Sequence, residues 1–562
     1  MVWGALQFPI ASVTDLLKER AKTRVSQFAR RELKAAAFAH VMALSMDYHT
    51  SKSSGKLTKA IEQGTELSSL VDNVLTAGPM LVDLAVAAAY MTGRFDFYLG
   101  FVVLGAALGA LYSTLKGSAI TFPLERASSE RSRLESEVLY DSVSNWPTVA
   151  YHNRRRFEQD RYGAAVRAEV MAQRTYFDWC DLDFAAQGLA MDAGLLVAAG
   201  LVARRLAAGE ASLSAFVFLV SYWASLRQPM HELAWTFRET SAHLINAEWL
   251  FQLLQTVPSV RDRPDAAELR VPDGRVEFRD VSFAYDPKRP ILRGLSFVAE
   301  PGQSVALVGE TGGGKSTILK LLYRFYDVTP DGRGAIAIDG QDLRDVTLDS
   351  LREHLGTVPQ EPSVFDQTIL QNVAYARPGA TREDVVDACR KARIHDQIMR
   401  FPEAYETRLG ERGVRLSGGE LQRLAIARVI LRKPRVVILD EATSAVDSDT
   451  EANVQLALAA LGAGRTVFTV AHRLSTIVAA NLILVIDQGR VVERGTHQEL
   501  LQKQGKYYRL WMRQTASQSD ESEKTDTDAG GEGDEMETAV GSVTKVYDEQ
   551  DTEHGEASVG KN

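Results

Sequence analysis

Four apolar stretches, all before residue 235, constrain the architecture more than any other feature. Val74–Gly93, Phe97–Leu115, Phe184–Ala203 and Leu213–Leu233 each approach the ~20 residues that an α-helix needs to cross a bilayer. Only "RFD" separates the first two, and "RRLAAGEAS" the last two, so each pair is expected to form an antiparallel hairpin. The polar segment Lys116–Asp183 between the pairs carries ten Lys or Arg, and a basic run from Lys18 to Lys34 precedes the first stretch. The excess of cations on one side places both segments, and everything after residue 235, in the cytosol. Arg204 and Arg205 then fall outside, against that tendency. The other reading, buried helices of a soluble protein, sits poorly with these lengths and hairpin spacings. Asp83 and Asp192 lie inside proposed spans, where a carboxylate faces a bundle interior or an aqueous cavity rather than lipid. Lining a cavity and packing between helices both stay open for them.

Bulk averages hide this division. A mean hydropathy of −0.14 and a net charge of −9 describe neither half of the chain. Residues 516–562 hold 14 acidic and three basic side chains, a net of −11, which leaves about +2 for the rest. That tail has few large apolar residues and is expected to be disordered. The two cysteines, Cys180 and Cys389, build neither a disulfide framework nor a CxxC metal site, and reduced thiols are expected. The apolar start "MVWGALQFPIASV" lacks a basic leader and a cleavage site, so no signal peptide is expected.

Past the spans, Val257–Gly274 is rich in Pro and Asp and is expected to be a linker. An α/β pattern follows, from Arg275 to about residue 515. The strand "SVALV" leads into "GETGGGKS" (Gly309–Ser316) and then a helix, the setting a phosphate-binding loop requires. Gly309, Glu310, Thr311, Gly312, Gly313 and Gly314 are expected to turn backbone N–H groups toward phosphates. Lys315 would charge-pair with the β/γ-phosphates, and the Ser316 hydroxyl would bind Mg²⁺. Thr317 completes the ATP-contacting set.

A second strand, "VVILD", carries Asp440 to its end, placed to orient Mg²⁺, and Glu441 follows, placed to polarise the attacking water. Gln360, in "TVPQEPSVF", would sense Mg²⁺ and that water, and His472, in "TVAHRLST", would reach the γ-phosphate. Tyr285 in "SFAYDP" would stack on a purine. A further glycine pair stands in "RLSGGELQRLAIAR" (Arg415–Arg428), with Ser417, Gly418, Gly419 and Glu420 forming a second candidate phosphate cradle.

Taken together, these motifs resemble the ABC ATPase domain over Arg275–Trp511, occurring in the order found in that family. They are Walker A (Gly309–Ser316), Gln360, the signature "LSGGE" (Leu416–Glu420), Walker B (Val436–Asp440), Glu441, the D-loop "SAVD" (Ser444–Asp447) and His472. Glu420 replaces a frequent Gln, and Val446 a usual Leu. Glu411, in "GERGVRLSGGE", resembles the exporter-type variant near the coupling surface. The resemblance implies that each ATP lies between Walker A of one domain and the signature of another, packed head to tail. One such domain per chain implies a second chain, an identical copy being the expected partner.

The segments "HVMALSMDYHTSKSSGKLTKAIEQGT" and "TVAYHNRRRFEQDRY" resemble the cytosolic loops of half-size exporters, in the heavy-metal-tolerance and mitochondrial branch of ABC subfamily B. Coupling helices are thereby implied at Met46–Lys52 and Ser142–Ala150. Six spans are usual in that fold and four are expected here, with the first span and most of the second missing. The fold class implied is an α-helical transmembrane domain followed by an α/β P-loop ATPase domain. The function implied is ATP-driven, Mg²⁺-dependent export of a small molecule, a glutathione or thiol–metal conjugate or an organic metabolite. It would take place in a vacuolar, plasma or mitochondrial membrane, with no nucleic-acid partner expected. The competing readings are a soluble ABC ATPase and a transport-dead remnant.

Overall fold

The computed structural model describes residues 2–51, 54–94, 97–328, 334–410, 416–440, 448–470, 477–513 and 515. The chain divides into two compact units, Met1–Ser259 and Val260–Asn562.

In the described residues the first unit is helical: α1 (Val2–Ala43), α2 (Met46–Ser51), α3 (Ser54–Gly64), α4 (Ser69–Arg94), α5 (Phe97–Ser144), α6 (Trp146–Tyr151), α7 (Arg155–Ala207) and α8 (Leu213–Gln255). Each expected span lies within one long helix, in α4, α5, α7 and α8. Helices α5 and α7 contain 18-residue windows of mean hydropathy 1.7 and 1.6, long and apolar enough to cross a membrane. At 1.5 Å per residue, their 48 and 53 residues reach about 70–80 Å, more than twice a bilayer's ~30 Å core. The polar segment between the hairpins is therefore mostly a continuation of the same two helices. α2 and α6 occupy most of the expected coupling segments. The chain enters α6 through Pro147 in its first turn and leaves it through Asn153, at φ 52°.

Leu99, Val103, Ala106 and Ala110 recur on one stripe of α5 and bury against Met191, Ala198 and Val202 of α7 and Leu219, Trp223 and Leu226 of α8. Small residues permit this approach. A Cβ on Gly194 would come within 2.8 Å of both Ala106 Cβ and the Trp223 ring. The opposite face of α5, with Phe101, Leu104, Leu108 and Leu111, is apolar yet exposed. A helix apolar all round, with one side uncovered, is what a lipid-facing helix looks like.

Asp192 pairs with Arg227 at 3.4 Å, with both side chains more than half exposed; the Asp83 side chain lies outside the described residues. Sequence reading passed over a more buried pair. Arg238 lies 3.2 Å from Asp183, and the two side chains are 5% and 7% exposed. Ser113 and Gln187 also donate to that carboxylate, at 2.6 and 2.8 Å, and the guanidinium stacks 3.5 Å over Phe184.

The second unit holds two sheets among its described residues. The antiparallel one runs β2 (Leu292–Ala299), β1 (Val276–Phe283), β4 (Ala335–Ile338), β5 (Gln341–Asp342). The larger runs β10 (Arg490–Gly495), β9 (Leu482–Asp487), β3 (Ser304–Val308), β8 (Thr466–Val470), β7 (Val436–Asp440), β6 (Leu355–Val358). It is parallel except at the β9–β10 hairpin. Alternate residues of β7 divide between two cores. Val436 and Ile438 face one core with the antiparallel sheet and helix α9 (Lys315–Leu322), whereas Val437 and Leu439 face the other with helix α10 (Gly418–Arg432).

The expected linker differs from the structure. From Val260 onward it belongs to the second unit, with Leu269 and Val271 buried in its first core. Ala267 bridges to Val346, Leu269 N–H donates to Ser350 Oγ at 2.9 Å, and Arg270 exchanges two hydrogen bonds with the Gln341 side chain. Proline and aspartate signalled a break in regular structure. They did not signal the buried Leu269 and Val271.

Candidate nucleotide-binding site

Strand β3 is buried through Val305–Val308, and the chain turns sharply at its end. Gly309 adopts φ 155° and Gly314 φ 102°. A Cβ at Gly309 would lie 2.2 Å from the Ile486 carbonyl oxygen, and one at Gly314 2.8 Å from Leu292 Cδ2. Only glycine meets both demands. Gly314 is the N-cap of α9, whose Ile318, Leu319, Leu321 and Leu322 anchor it in the core.

The loop closes on itself. Lys315 Nζ donates to the carbonyls of Gly309 and Glu310 at 2.8 and 3.0 Å, and Gly313 N–H donates to Glu310 O at 3.1 Å. The lysine is 6% exposed, so its charge is held inside the cradle, while Ser316 is exposed on the first turn of α9. A helix N-terminus with a lysine and free backbone donors is an anion site by its own electrostatics. Thr317 is buried, with Oγ1 3.4 Å from Tyr285 Oη. The Tyr285 ring is 47% exposed and stands edge-on to Phe283 and Tyr326.

Strand register brings the remaining motifs to the same edge. Leu307 pairs with Val470 and Val470 with Asp440, so the three lie in one row across β3, β8 and β7. With ~4.8 Å between neighbouring strands, Asp440 sits about 10 Å from Leu307, just behind the loop. Leu439 pairs with Val358 of β6, two residues before Gln360. In a parallel α/β sheet, ligands bind beyond the carboxyl ends of the strands, and β3, β6, β7 and β8 all end here. Glu441 and His472 follow β7 and β8 directly in sequence but lie outside the described residues, as do Glu411 and the D-loop.

The signature opens the helix on the other face of the sheet. Ser417 caps α10 in a reciprocal box: its Oγ accepts from Glu420 N–H at 3.3 Å, and Glu420 Oε2 accepts from Ser417 N–H at 2.7 Å. Glutamate and glutamine both complete such a box, which accounts physically for Glu420 at a position often held by Gln. Gly418 is exposed and Gly419 buried. Because α9 and α10 pack on opposite faces of the sheet, Walker A and the signature lie on either side of it.

Two side chains missed in the sequence reading join the signature helix to the loop around Gln360. Gln422 Nε2 donates to Pro359 O at 3.3 Å. Arg428 donates to Ser363 O at 2.7 Å and to Asn372 O and Oδ1, each at 2.8 Å, and burial lowers the pKa of its guanidinium. Their signal was a Gln and an Arg among the apolar residues of this helix. Cys389 is a buried free thiol, pushed up to about 12 by burial, and is inert.

Comparison with known proteins bears on the family and the fold. Residues 292–444 match the ABC transporter family, and residues 9–230 match the ABC transporter transmembrane region. ABC transporter aclQ of Aspergillus oryzae is 42% identical over 506 residues, covering 90% of this chain and 62% of that protein. The heavy metal tolerance protein of Schizosaccharomyces pombe is 42% identical over 492 residues, covering 87% and 59%. Human ATP-binding cassette sub-family B member 6 is 38% identical over 508 residues, covering 89% and 59%. The chain thus spans about 60% of the length of these relatives. A solved structure of a bacterial Atm1-family ABC exporter with ATP bound superposes with a TM-score of 0.83 at 36% identity, covering 90% of this chain and 88% of that one. With a helical transmembrane region followed by this ATPase domain, the chain belongs to the ABC transporter family.

Proposed function

We propose that this chain is half of a dimeric exporter that hydrolyses ATP to move a solute across a membrane. One observation carries the reading: Walker A opens α9 and the signature opens α10 on either side of the same sheet, both at the edge where β3, β6 and β7 end. Two domains packed head to tail would bring each cradle against the other's, making two ATP sites from two chains. In each, Lys315 and the loop N–H groups would hold the β/γ-phosphates, Tyr285 would stack on the purine, and Ser417–Glu420 of the second chain would close over the γ-phosphate. Ser316 and Asp440, with Gln360, supply the oxygen donors that suit a hard cation. Bound with ATP, Mg²⁺ would neutralise phosphate charge. Glu441 would draw the proton from the attacking water, and His472 would hold the γ-phosphate. Closing and opening of the domains would reach the spans through α2 and α6.

For cargo we propose a glutathione or thiol–metal conjugate, the heavy metal tolerance relative being the lead and an organic metabolite the other choice. Arg238, paired with Asp183, lines a cavity of about 210 Å³ with Glu125, Gln173, Tyr176, Cys180 and Glu239, a lining of mixed charge. The test is ATP-dependent uptake of a glutathione–cadmium conjugate into inside-out proteoliposomes. Uptake is expected with ATP and not with a non-hydrolysable analogue. ATP hydrolysis without uptake of conjugate or of organic anions would overturn the export reading.

A further inference from the structure

The edge of the large sheet opposite the nucleotide site holds a second, basic pocket. Its volume is about 510 Å³, and Lys391, Lys433, Arg435 and Arg465 line it with no carboxylate among the lining residues. Topology gathers these charges from separate elements. Arg435 and Arg465 immediately precede the parallel strands β7 and β8, and Lys433 is the left-handed C-cap of α10.

Compensation is incomplete. Lys391 is paired with Asp387 at 2.7 Å, and Arg465 donates to the Leu461 carbonyl. The side chains of Lys433 and Arg435 make no hydrogen bond or ion pair among the described residues. Burial and the neighbouring Arg435 charge both hold Arg465 below its ordinary pKa. A concave site with uncompensated like charges attracts an anion.

The chain supplies one. Residues 516–562 follow the last described residue, Thr515, and carry 14 acidic and three basic side chains. Forty-seven residues extend up to ~150 Å, beyond the ~50 Å breadth of a domain this size, so every part of the second unit is within reach. Like-charged acidic tails commonly serve as interaction segments. We propose that the acidic segment 516–562 docks by charge in the pocket of Lys391, Lys433, Arg435 and Arg465.

The test uses the full chain and zero-length carbodiimide crosslinking read by mass spectrometry. Crosslinks between Lys391 or Lys433 and carboxylates of residues 516–562 are expected at 50 mM NaCl. They should fall roughly tenfold at 500 mM as screening shortens. In a Lys433→Gln/Arg435→Gln variant, tail crosslinks to the remaining Lys391 should fall roughly tenfold, with melting temperature and basal ATPase activity unchanged. Crosslinks undiminished in that variant, or spread evenly over surface lysines, would overturn the proposal. So would binding of inorganic polyphosphate or RNA at the pocket with the same affinity whether or not the tail carboxylates are neutralised, since the tail would then not be the occupant.

Discussion

Gln422 Nε2 donates a 3.3 Å hydrogen bond to the Pro359 carbonyl, so the helix opened by the signature holds the residue next to Gln360. Gln422 is 4% exposed. Gln422→Leu would leave the carbonyl without this donor at a cost of about 1 kcal/mol. ATP affinity should stay within about twofold while turnover falls severalfold, because the Gln360 loop would lose its hold on the γ-phosphate region. Lowered melting temperature with unchanged turnover would make Gln422 a packing residue only.

Lys315 contributes the buried charge of the loop. Charge-assisted hydrogen bonds are worth about 1.5–3 kcal/mol, so Lys315→Ala should weaken ATP binding roughly 10–100-fold. Equilibrium binding of a fluorescent nucleotide measures this. Affinity retained in the variant would mean the backbone donors alone hold the phosphates.

The proposed shared site predicts complementation. A Lys315→Ala homodimer and a Gly418→Asp homodimer each damage both sites. A mixed dimer concentrates both faults in one site and leaves the other intact. Purified through two tags, it should recover up to about half of one wild-type dimer's ATPase activity if sites fire independently. A mixed dimer as inactive as its parents, together with ATP crosslinking to one chain only, would exclude the shared site.

Glu441→Gln preserves size and hydrogen bonding but would remove the proposed base. ATP should still bind, and hydrolysis should fall about 10²–10⁴-fold. Single-turnover hydrolysis settles the point, and near-normal rates would assign the base elsewhere.

His243 is 13% exposed at its side chain and lies 3.7 Å from both Glu66 and Glu239. The Glu66 carboxylate raises its pKa, with Glu239 adding and burial opposing, and the imidazolium lowers that of Glu66 in return. Asn246 and Lys59 also favour the charged Glu66, and Glu125 faces the same group. The His243 contribution is complete below ~6.5 and is lost as pH rises through the higher folded value. The Glu66 contribution is complete above ~4.3 and is lost as pH falls through the lower one. Wild type should therefore exceed His243→Gln in melting temperature most near pH 5–6, by a degree or two given the half-exposed Glu66. The gap should shrink toward pH 8, and a pH-independent difference would exclude charge pairing.

Chemistry that acts within a few residues was legible in the sequence. The glycines of "GETGGGKS" announce a loop that turns its backbone toward phosphate, and mostly apolar stretches of about twenty residues announce helices suited to lipid. Each is decided by contacts a segment makes with itself or with solvent. Relations between distant segments were decided only by the tertiary structure. The row Leu307–Val470–Asp440 depends on strand register, Leu269 and Val271 acquire a core from strands that follow them, and Arg238 meets Asp183 across 55 residues. Opposite faces for α9 and α10 follow from which alternate residues of β7 each helix covers. The order of residues is enough to specify the chemical parts and the lipid-suited helices, because those answer to local sterics and hydropathy. Tertiary structure alone decided which parts share an edge and which are held apart, because that depends on long-range pairing between surfaces no single segment contains.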